Sequence, residues 1–427
     1  MDELSEHDAN PFRNAEAMES LSKTTTLDRS ALKGYFDRGA AKAGKGARYS
    51  AFAAFLPNNL GWLIAYLSYA LTPKIAFPTY PSGARGPQAG IFDLAAPDGR
   101  PLRIAIAGDW ANGTRDSWII GQSIKKADPD LTIHLGDVYY VGDETEIATN
   151  CLGKGGHGHR GVRWPHGGRG SFALNGNHEM YAKGGPFFRL FLPTLGLDGH
   201  QQAASYFCLE TPGWRIVALD TGFNSVGWPL LGVLPVLSAI PCIAGDCHLE
   251  PALMDWLRDD VKLGSDSKPT ILLSHHNMIS AFETPAPSTP MAQLAPLMKG
   301  KEFVWVWGHE HRMAIYDRFA SLDGLSFHAR CLGHGGMPVL QAEPNPAAAP
   351  LAFWDKRVGR ARGGAHFGKN GYAMLTLEAD KIGIDYFDMD GARVFAESLA
   401  PQGDGAIKQT VLDPGALTNA RAWPPTA

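Results

Sequence analysis

Five segments of this 427-residue sequence place side chains able to bind metals or move protons directly after short β-rich runs. They are Asp109 in Gly-Asp-Trp, Asp137 in Gly-Asp-Val-Tyr-Tyr, Asn177 and His178 in Gly-Asn-His-Glu, His275 in Ser-His-His, and His309 and His311 in Gly-His-Glu-His. Carboxylate, amide and imidazole suit hard and borderline cations, and a pair of ions needs one donor that spans both. Alternate residues of an extended segment point the same way, so His309 and His311 can address neighbouring ions. Two ions so held would neutralise an anionic ester and lower the pKa of a water from ~15.7 towards neutrality. Each piece alone is weak. Gly-Asp occurs five times, and Gly142-Asp143, Gly245-Asp246 and Gly403-Asp404 read as ordinary turns. The joint order, with every donor placed after a strand-like run, carries the signal.

Elements that would position these donors are legible in the hydrophobic pattern. Six β-rich runs, at 102–109, 131–137, 171–178, 214–220, 270–276 and 303–311, each end in polar chemistry. Helical patterns lie between several of them, the clearest being the stripe Leu249, Leu253, Trp256, Leu257 and Val261. Strands alternating with helices imply a layered α/β domain, in which ligands sit beyond the carboxyl ends of the strands. Two further runs, 372–377 and 382–387, flank an Ala-Asp-Lys turn and read as a closing hairpin.

Outside this frame, residues 1–95 form an N-terminal extension that is partly helical, with patterns over 27–45 and 51–72. In the second, Leu60, Leu63, Ile64, Leu67 and Leu71 recur at helical spacing; a helix packed on the core is the preferred reading over a surface touching membrane or a partner. The expected catalytic domain spans 96–400 and a tail spans 401–427. Three insertions could wall a single cleft: the glycine-, histidine- and cation-rich 151–170, the apolar 223–247, and 340–368, which ends in a basic stretch. The apolar insertion suits a lid, an oligomer contact, a pocket for a hydrophobic ester group or, at 223–241, a lipid-facing surface.

Composition sets the remaining bounds. With 44% hydrophobic and 19% charged residues, the chain can bury a large core. A net charge of −4 argues against a general nucleic-acid binder, which needs a basic surface. Five cysteines show no zinc-type spacing; a Cys242–Cys247 bridge is conceivable, but free thiols are the simpler reading. The N-terminus lacks the basic and apolar regions of a signal peptide, and no run reaches the ~18 apolar residues of a spanning helix, so a cytoplasmic location is expected.

The ordered blocks Gly-Asp, Gly-Asp, Gly-Asn-His, His and Gly-His-x-His resemble those of the calcineurin-like metallophosphoesterase superfamily, over about residues 101–390. The resemblance implies an α/β/β/α sandwich. Most members carry Asp-x-His in the first block, whereas here the sequence is Asp109-Trp110-Ala111. Tyr140, three residues after Asp137, replaces the lost donor, an exchange similar to the purple acid phosphatases, whose tyrosinate binds ferric iron. By this resemblance the first metal takes Asp109, Asp137, Tyr140 and His311. The second takes Asp137, Asn177, His275 and His309, with Asp137 bridging. Asn177 and His178 meet the substrate, and His178 is the general acid.

Neighbouring residues are read more plainly. Tyr139 is a core or wall aromatic, Glu179 orients its turn, His134 is a core histidine and Asp220 a structural strand end. His334 reads more readily as core than as cleft lining. Strand alternation argues that His275 and His276 do not both ligate. The expected activity is hydrolysis of a phosphomonoester by a metal-bound hydroxide, with Fe(III) beside Zn, Mn or Fe(II). One alternative keeps the site but changes the substrate to a diester, triester or lipid phosphate; another is a catalytically silent metal-binding interaction protein.

Overall fold

The computed structural model describes residues 68–69, 72–94, 99–155, 161–227, 245–282, 288–345, 347–362 and 365–413. The helical expectations for 27–45 and nearly all of 51–72, the bulk of the apolar insertion, the centre of the glycine-rich loop and Cys242 lie outside those residues.

All six expected runs contain strands. Leu102–Ala107, Leu131–His134 and Gly170–Ala173 pair in parallel within a nine-stranded sheet. Arg215–Ala218, Thr270–Ser274 and Glu302–Trp307 pair in parallel within an eight-stranded sheet. Parallel neighbours require crossover connections. The helices Arg115–Ala127, Pro251–Asp259 and Thr289–Met298 supply three of them. Thr114 starts the first by accepting a hydrogen bond from the Ser117 amide.

Side-chain alternation then builds the four layers. Ile104, Ile106, Ile133 and Phe172 of one sheet meet Ile216, Ile271, Leu273, Val304 and Val306 of the other in one buried cluster. Their sequence neighbours face outward: Ala105, Ala107 and Ala173 cluster with Ile120 and Ile124 of the first helix. On the opposite side, Leu272, Phe303 and Trp305 cluster with Leu253, Trp256, Leu257 and Leu294. Strands covered on both faces are hydrophobic at nearly every position, which is why these six stand out. The result is the expected α/β/β/α sandwich.

The closing hairpin is Gly371–Leu377 with Ile382–Asp388, and its first strand pairs antiparallel with Leu102–Ala107. Two expected boundaries move. Ile91–Asp93, within the expected N-terminal extension, pairs with Phe207–Glu210, and Phe92 and Leu94 enter the inter-sheet core. Ile407–Val411, within the expected tail, pairs with Arg393–Pro401 and places Ile407 in the same core. The 340–368 segment is likewise partly structural, since Leu351–Trp354 is an edge strand of the eight-stranded sheet. Short edge strands carry too few buried positions to show a period of two against loop composition. Among the described residues, no helix is long and apolar enough to cross a membrane.

A buried ion pair also joins the sheets. Arg330, on Ser326–Leu332, meets both carboxylate oxygens of Glu397, on Arg393–Pro401, at 2.6 and 2.7 Å. Tyr386 and Gln409 donate to the same carboxylate, each at 2.7 Å, so the charge is fully solvated by protein. Glu397→Ala strands a guanidinium in the core and is expected to destabilise the fold by about 3–5 kcal/mol. Urea unfolding reads this as a lower midpoint at an unchanged slope.

Candidate metal centre

The donors converge because the strands stop just short of them. Ala107, His134, Ala173, Ser274 and Trp307 are the last strand residues, and the loops beyond carry Asp109, Asp137, Asn177, His275 and His309. Those loops hold one another: the Asp109 amide donates to Gly136 O (3.1 Å), and the Gly308 amide to His275 O (3.0 Å). Asp109, Asp137 and His309 all lie in the left-handed region, at φ 58°, 71° and 64°. Such backbone costs ~1–3 kcal/mol per residue and persists where the surroundings over-determine it. Two glycines make the approach feasible. A Cβ on Gly176 would come within 2.1 Å of Asp137 Oδ1, and one on Gly308 within 2.8 Å of Asp109 Oδ2.

One group of donors surrounds the Tyr139 hydroxyl. Tyr139 Oη lies 2.6 Å from Asp109 Oδ1, 3.1 Å from Asp137 Oδ2 and 2.9 Å from His311 Nε2. His311 Nε2 is in turn 3.2 Å from Asp109 Oδ1. A second group surrounds His275 Nε2, which is 3.2 Å from Asp137 Oδ2, 3.2 Å from Asn177 Oδ1 and 3.3 Å from His309 Nδ1. Asp137 Oδ2 belongs to both groups. Orientation is set from outside: His275 Nδ1 donates to Leu135 O (2.9 Å), which leaves the Nε2 lone pair facing inward. The Asn177 amide nitrogen donates to Tyr181 Oη (3.2 Å), so its oxygen turns to the site.

His178 stands beside this constellation. Its Nδ1 is 2.6 Å from Tyr140 O, and because a carbonyl only accepts, Nδ1 carries the proton. Nε2 is buried, 3.7 Å from Asp137 Oδ2, and has no hydrogen-bond partner among the described residues. Burial lowers the His178 pKa against the pull of Asp137. Glu179 orients the loops, as expected: its Oε2 accepts from the Gly176 amide at 3.0 Å and the Asp137 amide at 3.2 Å. Burial, then repulsion from Asp137, raises the Glu179 pKa to about 8.

Six expected ligands, Asp109, Asp137, Asn177, His275, His309 and His311, come together with His178 beside them. Tyr140 does not, and this corrects the sequence assignment. Its ring packs with Val141, Tyr181 and Ala182, and burial raises its pKa far above the usual phenol value. Tyr139 supplies the phenol at the centre. The reason lies in how the loop is pinned. Glu146 accepts from the amides of Tyr140, Val141, Gly142 and Asp143, while the Tyr139 amide donates to Ala111 O (2.9 Å). Counting three residues from Asp137 assumes a regular turn, and this clamp changes which side chain faces inward. The alternation argument against His276 also fails, because the strand ends at Ser274.

Motif spacing gives no weight to the Gly333–Gly336 loop. The Gly335 amide donates to Gly108 O (2.9 Å), the Met337 amide to Asp109 O (3.0 Å), and Met337 packs on Tyr139. Glycines crowded around one histidine are the only sign of it in the sequence. His334 itself is buried, with burial lowering its pKa to about 4. His134 is a core histidine against Trp164, and Asp220 is tied to Asn175, Ser205 and the Phe223 amide, a structural role for both.

The residues fit cations. Two carboxylates, a phenol, an amide and three imidazoles crowd together at 2.6–3.3 Å, distances suited to donors sharing small ions. The site asks for positive charge: burial opposes charging His275, yet Asp137, Asp109 and Glu179 outweigh it and raise its pKa to about 9. Asp109, Asp137 and His275 alone already form a compact set able to hold an ion.

Several solved structures show similarity to this chain. GAP50, the anchor in the inner membrane complex of Plasmodium, is 13% identical, over 77% of this chain and 96% of that one, with a TM-score of 0.43. PhoD is 12% identical, over 73% and 72%, at 0.44. Vacuolar protein sorting 29 from Cryptosporidium parvum is 8% identical, over 73% and 97%, at 0.23. No curated protein matches the chain. Residues 102–313 match the calcineurin-like phosphoesterase family, and that stretch contains every donor from Asp109 to His311. By this match and by its layered fold, the chain belongs to the calcineurin-like phosphoesterase family.

Proposed function

We propose that this protein is a dinuclear phosphomonoester hydrolase of purple acid phosphatase type, with Fe(III) beside Zn, Mn or Fe(II). One observation supports this above the others: Asp137 Oδ2 lies between a group containing the Tyr139 phenol and a group built around His275. A hard, anionic phenolate beside Asp109 and Asp137 favours a trivalent ion, while amide and imidazole suit a divalent one. Two such cations supply charge neutralisation for the phosphoryl oxygens and an acidified water. The chain does the rest. Asn177 and His178 form the substrate wall, and His178 Nε2 is the free end able to give a proton to the leaving oxygen. Glu179, Glu146 and the Gly333–Gly336 loop keep the donor loops from relaxing.

Two measurements test this reading. The isolated protein is expected to hydrolyse a phosphomonoester faster than the matched diester and to show a visible tyrosinate-to-iron band. Tyr139→Phe is expected to abolish the band, whereas Tyr140→Phe leaves it unchanged. A colourless, iron-free and active protein would make it a divalent phosphoesterase, and diester preference would change the substrate class. Absence of hydrolysis after loading with iron, zinc or manganese would favour a silent metal-binding protein.

A further inference from the structure

We infer that His276 is a third imidazole ligand of the second metal ion, so that His275, His276 and His309 together select a borderline divalent ion such as zinc. The inference rests on the dinuclear reading above and adds a ligand to it. One ring nitrogen from each of the three histidines lies within 4.8 Å of the other two. The His276 ring is 4.6 Å from that of His309 and 4.9 Å from that of His275, between centroids.

His276 is buried and held at three points. Its amide donates to Thr221 Oγ1 (3.1 Å), its carbonyl accepts from Ser274 Oγ (2.9 Å), and its ring Nδ1 lies 3.1 Å from the same Thr221 Oγ1. Ser274 Oγ is itself fixed by Trp305 Nε1 at 3.0 Å. A hydroxyl oxygen has two lone pairs, so Thr221 can accept from both the amide and an Nδ1–H of His276. With the proton on Nδ1, the Nε2 lone pair of His276 is left for a metal, the same tautomer that Leu135 O imposes on His275. Three imidazoles with one carboxylate and one amide oxygen are a softer set than the phenolate side offers.

The test uses the full chain, stripped with a chelator and reloaded with zinc or cobalt(II). Wild-type protein is expected to bind two equivalents, with a cobalt absorption spectrum that changes shape on the second. In His276→Gln, zinc at the second position is expected to bind at least ~10-fold more weakly, and the second cobalt spectrum to shift, while the first equivalent is unaffected. Thr221→Val keeps the imidazole and removes the hydroxyl that meets both its ring and its amide, and is expected to weaken the same equivalent by roughly 10-fold. It also serves if His276→Gln does not fold by circular dichroism. Two equivalents with unchanged affinity and spectrum in the folded variants would overturn the role of His276 and leave the dinuclear reading standing. A wild-type chain that takes no second equivalent would overturn both.

Discussion

Asp137→Ala is expected to lose both metal ions, whereas Asp109→Ala mainly empties one site. The asymmetry follows from Asp137 Oδ2, which lies 3.1 Å from Tyr139 Oη and 3.2 Å from His275 Nε2 and so serves both groups. Asp109 Oδ1 meets the Tyr139–His311 group, 2.6 Å from Tyr139 Oη and 3.2 Å from His311 Nε2, while its Oδ2 accepts from the His309 amide at 2.8 Å and is not shared with the His275 imidazole by any hydrogen bond among the described residues. Asp137 also holds the loop that carries His178, since its Oδ1 accepts from the His178 amide at 3.0 Å. Alanine tolerates φ 71° poorly, so Asp137→Asn is the sharper variant. Asparagine keeps the loop bond and the backbone while removing the negative charge. Metal content after dialysis should fall from two equivalents towards none in either Asp137 variant. Two tightly held ions in a folded Asp137→Asn protein would contradict the bridging role.

His178→Ala is expected to retain both ions and lose about 10²–10⁴-fold in kcat, most severely with poor leaving groups. Nδ1 is committed to Tyr140 O, so Nε2 carries a proton only in the imidazolium form. Burial lowers the pKa of that form below the usual histidine value, with Asp137 opposing. The acid is therefore present at low pH and lost as pH rises through a pKa below the ordinary one. Wild-type kcat should fall on that limb, and the limb should vanish in His178→Ala. Loss of metal along with activity would instead make His178 a ligand.

The order of the blocks by itself determined much of this protein. Parallel strands buried on both faces must be apolar at nearly every position, so six of them are visible as continuous hydrophobic runs. Polar donors set at the carboxyl end of one such run after another point to a shared ligand site. Asp109, Asp137, Asn177, His275, His309 and His311 can thus be read from sequence because each follows the end of a strand by a few residues, the last two sharing one strand. What sequence spacing could not decide was rotation about irregular backbone. Tyr139 and Tyr140 are adjacent and chemically identical, and the choice between them depends on Glu146 gathering four amides of the following turn. A period of two would turn His276 away from His275, but that period ends with the strand at Ser274. The edge strands Ile91–Asp93 and Ile407–Val411 are recognisable only from the places of Phe92 and Ile407 in the inter-sheet core. Periodicity encodes which face of a regular element is buried; where the chain leaves regular structure, long-range hydrogen bonds aim the side chains, and only the tertiary structure contains them.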